Sequence, residues 1–141
     1  MSDENLWGDL PVAEELETPF AILRAQANAL RKLTGGVLDA RIVTSQTPSA
    51  ELEHEFRIVA PALGSYSTEI LSIRHSAQLY PVRVSAPDFG WGGTDSIDSA
   101  ELKANLKTVL QGDRARKIVA GLVAQSRDIG AGRKEEEEAP V

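Results

Sequence analysis

Between Gly36 and Ala86 the chain alternates apolar and polar residues in four segments. Leu38, Ala40 and Ile42 share one parity, and Asp39 and Arg41 the other. Leu52, His54, Phe56 and Ile58 stand against Glu51, Glu53, Glu55 and Arg57. Leu71 and Ile73 stand against Ser72 and Arg74, and Tyr80, Val82 and Val84 against Arg83 and Ser85. A period of two sends alternate side chains to opposite faces of a strand, so these segments predict a sheet with one buried face and one wet face. The connections near Thr47-Pro48-Ser49, at 62–65 and at 76–78 are short, which predicts antiparallel neighbours in a meander. Pro81 has no N–H to give to a ladder, so the fourth strand is expected at an edge or with Pro81 on its unpaired side.

The flanking segments carry the helical period instead. Thr18-Pro19 reads as an N-cap followed by proline at the first helical position, where a missing N–H costs nothing. Phe20, Leu23, Ala27 and Leu30 then recur at spacings of three and four, and Gly35-Gly36 supplies the positive backbone angle that ends a helix. After Pro87 the pattern breaks down in Asp88-Phe89-Gly90-Trp91-Gly92-Gly93-Thr94, which reads as a glycine-rich loop. Asp98 and Glu101 form a capping box for a second helix with Leu102, Leu106, Val109 and Leu110 on its apolar stripe. Gly112 ends that helix, and Asp113 caps a third carrying Ala115, Ile118, Val119, Leu122 and Val123. The order is α-β-β-β-β-α-α: a two-layer α+β domain, a four-stranded antiparallel meander covered on one face by three helices.

Composition sets the limits of this domain. The 141 residues are 42% hydrophobic, enough for a single core. An extended acidic lead occupies 1–17, with Leu6 and Trp7 as apolar anchors; the domain occupies 18–127. The segment 128–141 is Gly, Ala and charge, and is expected to be disordered. No cysteine is present, which removes disulfides, thiolate zinc sites and a cysteine nucleophile together. The first 17 residues hold no basic residue and no long apolar run, so neither a signal peptide nor a membrane span is expected, and a cytoplasmic location is the default. Six acidic residues lie in 1–17 and four more at 135–138, and the net charge is −6. That balance argues against binding a phosphate backbone, which needs concentrated Lys and Arg.

Candidate chemistry is sparse. His54 and His75 fall on the apolar parity of adjacent strands: a hairpin loop spanning 61–68 would place them directly opposite, and a tighter one spanning 62–65 would make them diagonal neighbours. Zinc wants three or four ligands, and only Glu69 shares the histidines' parity, so no metal site is predicted. Ser65, Ser67, Ser96 and Ser99 have no base nearby in sequence and fit turns and caps. The run Gly90-Trp91-Gly92-Gly93 lacks the Gly-Lys-Ser/Thr ending of a nucleotide loop and the G-x-G-x-x-G spacing of a dinucleotide turn. The two C-terminal helices, joined at Gln111-Gly112-Asp113, carry a small basic patch at Arg114, Arg116 and Lys117. An αα-hairpin with a charged face accounts for it without DNA.

Several stretches resemble a family of small uncharacterised bacterial proteins. They are Leu6-Trp7-Gly8-Asp9-Leu10-Pro11, Thr18-Pro19-Phe20-Ala21-Ile22-Leu23, Val59-Ala60-Pro61-Ala62-Leu63 with Tyr66, Leu79-Tyr80-Pro81-Val82, and Leu122-Val123-Ala124-Gln125-Ser126. The resemblance implies a compact bacterial domain of unknown function, and no activity travels with it.

No nucleophile, base and oxyanion donors assemble at ordinary spacing, so the sequence predicts a non-enzymatic domain without cofactor. Its first functional expectation is a protein-interaction or adaptor module, with a protein partner or self-association. The alternative is a small-ligand or anion-binding domain, its pocket between the helices and the sheet edge. The candidate binding residues are Trp7, His54, Arg74, His75 and Trp91. An interaction module should expose an apolar patch around Leu6, Trp7 or Trp91, and a ligand binder should enclose a pocket of a few hundred cubic ångströms.

Overall fold

The computed structural model describes residues 4–13 and 16–138, the side chains of Trp91 and of residues 131–138 excepted. Among them three α-helices and five strands follow one another: α1 (Pro19–Leu33), β1 (Asp39–Gln46), β2 (Leu52–Ala60), β3 (Tyr66–His75), β4 (Val82–Ala86), β5 (Trp91–Ser96), α2 (Ser99–Leu110) and α3 (Asp113–Glu138). The strands form one antiparallel sheet in sequence order, and the helices cover its apolar face. The fold is α+β, with one strand more than the alternation predicts.

α1 begins as its sequence dictates. The Thr18 hydroxyl accepts the Ala21 N–H at 3.1 Å, and Pro19 occupies the first turn. Arg31 in the last turn forks onto the Asp39 carboxylate, at 2.9 and 3.0 Å through Nη2, and so ties the end of α1 to the start of β1. Asp98 caps α2 by accepting the Glu101 N–H at 2.8 Å. Asp113, read as a cap, is instead the first residue of α3.

The period-two reading holds in β2, where His54, Phe56, Ile58 and Ala60 are buried, and in β4, where Val82, Val84 and Ala86 are. β3 departs from it. Phe56 pairs with Leu71 and Arg57 with Glu69, so Ile70 is an extra residue, a bulge that lets Ile70 and Leu71 both enter the core. The bulge reverses the parity below it and turns Glu69 to the wet side, away from the histidines whose parity it shares in sequence. There burial, then the neighbouring Glu55 carboxylate, raise the Glu69 carboxyl above its usual range, with Arg57 acting against them.

Three expectations are corrected. The segment read as a glycine-rich loop is β5, paired with β4 from Val82↔Ser96 to Ala86↔Trp91. It lacks apolar alternation because it is an edge strand that buries only Ser96 deeply, among its side chains described. Gly93 suits it, since its φ of +139° favours glycine and the Arg83 guanidinium lies across the space a Cβ would fill. β4 is therefore internal, and the edges are β1 and β5. Pro81 stands one residue before the first ladder pair, so its missing N–H costs the sheet nothing. Finally, α3 runs to Glu138, through most of the segment expected to be disordered. A helix already nucleated by packed turns extends without an apolar stripe. The remaining tail, 139–141, lies outside the described residues. No helix among those described is long and apolar enough to cross a membrane.

The helices are spread over the sheet rather than bunched. α1 lies on β1, α2 on β4 and β5, and α3 on β2 and the turn at Pro61–Leu63. Between these three positions the middle of the sheet is incompletely covered.

Candidate functional site

That gap is a pocket of about 620 Å³. Its floor is Phe56 and Ile58 of β2 and the bulge residue Ile70 of β3. The bulge thus has a local consequence, since it turns an extra isoleucine toward the helices. One wall is α1, through Ile22 in its first turn and Ala29, Leu30 and Leu33 near its C-terminal end. The second is α2, through Leu106 and Leu110, and the third is α3, through Ala115, Val119 and Ala120. Alanines at 29, 115 and 120 leave space where larger side chains would close the layer.

The polar lining is small in number and of one sign. Lys103, Lys107 and Arg116 contribute the charges, Gln26, Gln111 and Thr34 the neutral groups, and no aspartate or glutamate takes part. On α2, Lys103, Lys107 and Gln111 follow at i, i+4 and i+8, one row along the helix, beside the inner row of Leu102, Leu106 and Val109. Lys103 makes an ion pair with Glu17, just ahead of α1. Lys107 and Arg116 make no ion pair among the described residues.

The candidate residues read from the sequence lie elsewhere and do not converge. His54 and His75 do meet as diagonal neighbours: β2 and β3 pair Leu52↔His75 and His54↔Ile73, a register reached through a 61–65 loop and the Ile70 bulge rather than through either hairpin read from the sequence. Both rings are buried, at 4% and 3% exposure, and their Nε2 atoms are 2.9 Å apart. Arg74 projects from the opposite face, where its Nε donates to Glu53 at 3.0 Å. Trp7 is 81% exposed on the lead, beside Leu6 at 86%. The backbone of Trp91 opens β5 opposite Ala86; its side chain lies outside the description. An anion site joining His54, His75, Arg74 and Trp91 at the sheet edge is therefore not formed, because strand parity separates Arg74 from the histidines.

The histidine pair is closed on itself. The Ser76 carbonyl can only accept, so His75 Nδ1 donates to it at 2.8 Å, and His75 Nε2 is then the acceptor of the neutral ring. His54 Nε2 must donate across the 2.9 Å contact, and His54 Nδ1 must accept from the Thr44 hydroxyl at 2.8 Å. The tautomers are assigned by these partners, and every ring nitrogen is used. Burial, then the adjacent His75, push the His54 pKa below its usual value. Among the described residues no three His, Cys, Asp or Glu side chains group as metal ligands.

Sequence reasoning missed the pocket because its lining comes from five elements. Its one local signal is the i, i+4, i+8 row of Lys103, Lys107 and Gln111, set beside the apolar stripe of α2. No family model, no curated protein and no solved structure matches the chain.

Proposed function

We propose that this chain is a non-enzymatic binding domain whose ligand is a small, largely apolar molecule held in the three-helix pocket. The observation that carries this reading is the pocket itself: about 620 Å³, floored by Phe56, Ile58 and Ile70 and walled by three helices. Small-molecule sites typically span about 300–1,000 Å³, with apolar walls and a few polar groups that orient the ligand. A neutral apolar dye such as Nile red should bind the full chain at one site, and Ala29→Trp, which fills the pocket from α1, should abolish binding with the fold intact by circular dichroism. Equal dye binding by both proteins would refute the reading.

A second reading, an interaction or adaptor module, is favoured by a different observation. Leu6, Trp7 and Leu10 are all exposed on the acidic lead, and tryptophan is enriched at binding hot spots. A Trp7→Ala variant that loses a captured protein partner while keeping dye binding would support it.

A further inference from the structure

We infer that the ligand of the pocket is a single-chain amphiphile with a carboxylate head, the head held at Lys107 and Arg116 and the chain lying over Phe56, Ile58 and Ile70. The inference rests on the pocket being a ligand site, and it adds the chemistry of the ligand.

Charge at the mouth carries the argument. The chain has a net charge of −6, yet the pocket lining holds three cations and no anion. The Glu17 carboxylate occupies Lys103, which leaves Lys107 on α2 and Arg116 on α3 without an acidic partner among the described residues. Asp113 opens α3 but does not line the pocket. Lys107 and Arg116 each stand about one turn from the corner at Gln111-Gly112, and both line the pocket, so two helices bring positive charge to its lining.

The helix faces complete the match. On α2 the charged row lies directly beside the apolar row, so a ligand following that boundary meets an ammonium and a leucine within one turn. Lys107 and Arg116 are exposed to water, so an apolar ligand without charge would gain nothing from them. A cationic one would add a third like charge. A carboxylate gains charge-assisted hydrogen bonds from both, and a guanidinium offers its oxygens a matching fork.

Calorimetric titration of the full chain with dodecanoate, dodecanol and dodecyltrimethylammonium, each below its micellar concentration, separates the possibilities. Dodecanoate should bind about tenfold tighter than dodecanol, with the cation weakest. The exposed double change Lys107→Glu, Arg116→Glu should abolish the preference for dodecanoate over dodecanol; Lys107→Gln, Arg116→Gln serves if the charge reversal disturbs the fold. Equal affinity for dodecanoate and dodecanol, or an undiminished preference in the double variant, overturns the head-group inference and leaves the pocket reading standing. No binding of any of the three, together with no Nile red binding, overturns both.

Discussion

His54 and His75 face each other through their Nε2 atoms at 2.9 Å, and this contact can hold only one proton. In the neutral pair His54 donates and His75 accepts. A proton added at His54 Nδ1 is accommodated if the Thr44 hydroxyl turns to accept, but the cation then sits in a buried site beside the Phe20 ring. A further proton on His75 Nε2 would set two N–H groups against one another.

Stability should therefore fall with acid. The His54 pKa is lowered in the folded state, by burial first and His75 second, so near and below about 6.5 the unfolded chain binds the proton more readily. The contribution is fully present above that value and is lost as pH drops through it toward the lower folded pKa. Urea melts from pH 8 to pH 5 should show this loss. His54→Phe with His75→Leu should flatten the profile across the same range, and an unchanged slope in that double variant would remove the histidines as its cause.

The diagonal meeting of these histidines was open to sequence reasoning down to two hairpin lengths. The loop formed is neither of them: Ala60 pairs with Tyr66 across 61–65, with Gly64 and Ser65 at positive φ, and the bulge at Ile70 then shifts the register by one to set His54 opposite Ile73. α1 and β1 to β4 were legible because burial imposes a period on their residues. β5 was not, since Gly92, Gly93, Thr94 and Asp95 face water or a neighbouring strand and carry no apolar period. The helix beyond Asp128 was missed for the converse reason: a helix end needs good helix formers and a nucleated start, not a core. The bulge at Ile70 cannot be read from one strand alone, because it is a mismatch between two. The pocket depends on that bulge and on where three helices land.

The polar contact that locks β5 to α2 predicts an asymmetry. Ser96 is fully buried, and its hydroxyl accepts from Asn105 Nδ2 at 2.8 Å. Asn105→Ala strands a buried hydroxyl and should cost about 1–3 kcal/mol. Ser96→Ala should cost less, because Asn105 is only half-buried and can turn to water. Chemical denaturation of the two single variants checks the order.

Removing residues 131–141 should leave stability within about 0.5 kcal/mol of the full chain. Leu122 and Ser126 are the last residues of α3 found buried among those whose side chains are described, and from Arg127 to Gly130 the helix is exposed. Coincident urea curves for the shortened and full chains are the expected result. A loss of several kcal/mol would mean that the last turns of α3 pack against the domain.

Glu17 is predicted to tune the pocket without belonging to its lining. Its carboxylate pairs with Lys103, and its carbonyl accepts the Tyr80 hydroxyl at 2.8 Å, so backbone and side chain act separately. Glu17→Gln removes the negative charge and keeps the backbone bond. Both partners are substantially exposed, so the change should alter stability by less than about 1 kcal/mol. It also frees Lys103 as a third cation on the lining, where a carboxylate ligand would feel it. Dodecanoate should then bind a few-fold tighter to Glu17→Gln, with dodecanol unaffected, and the gain should shrink as salt is raised. Lys103→Gln made in the same background should cancel the gain, because the effect passes through that one ammonium. If dodecanol gains equally, the change has opened the pocket rather than charged it.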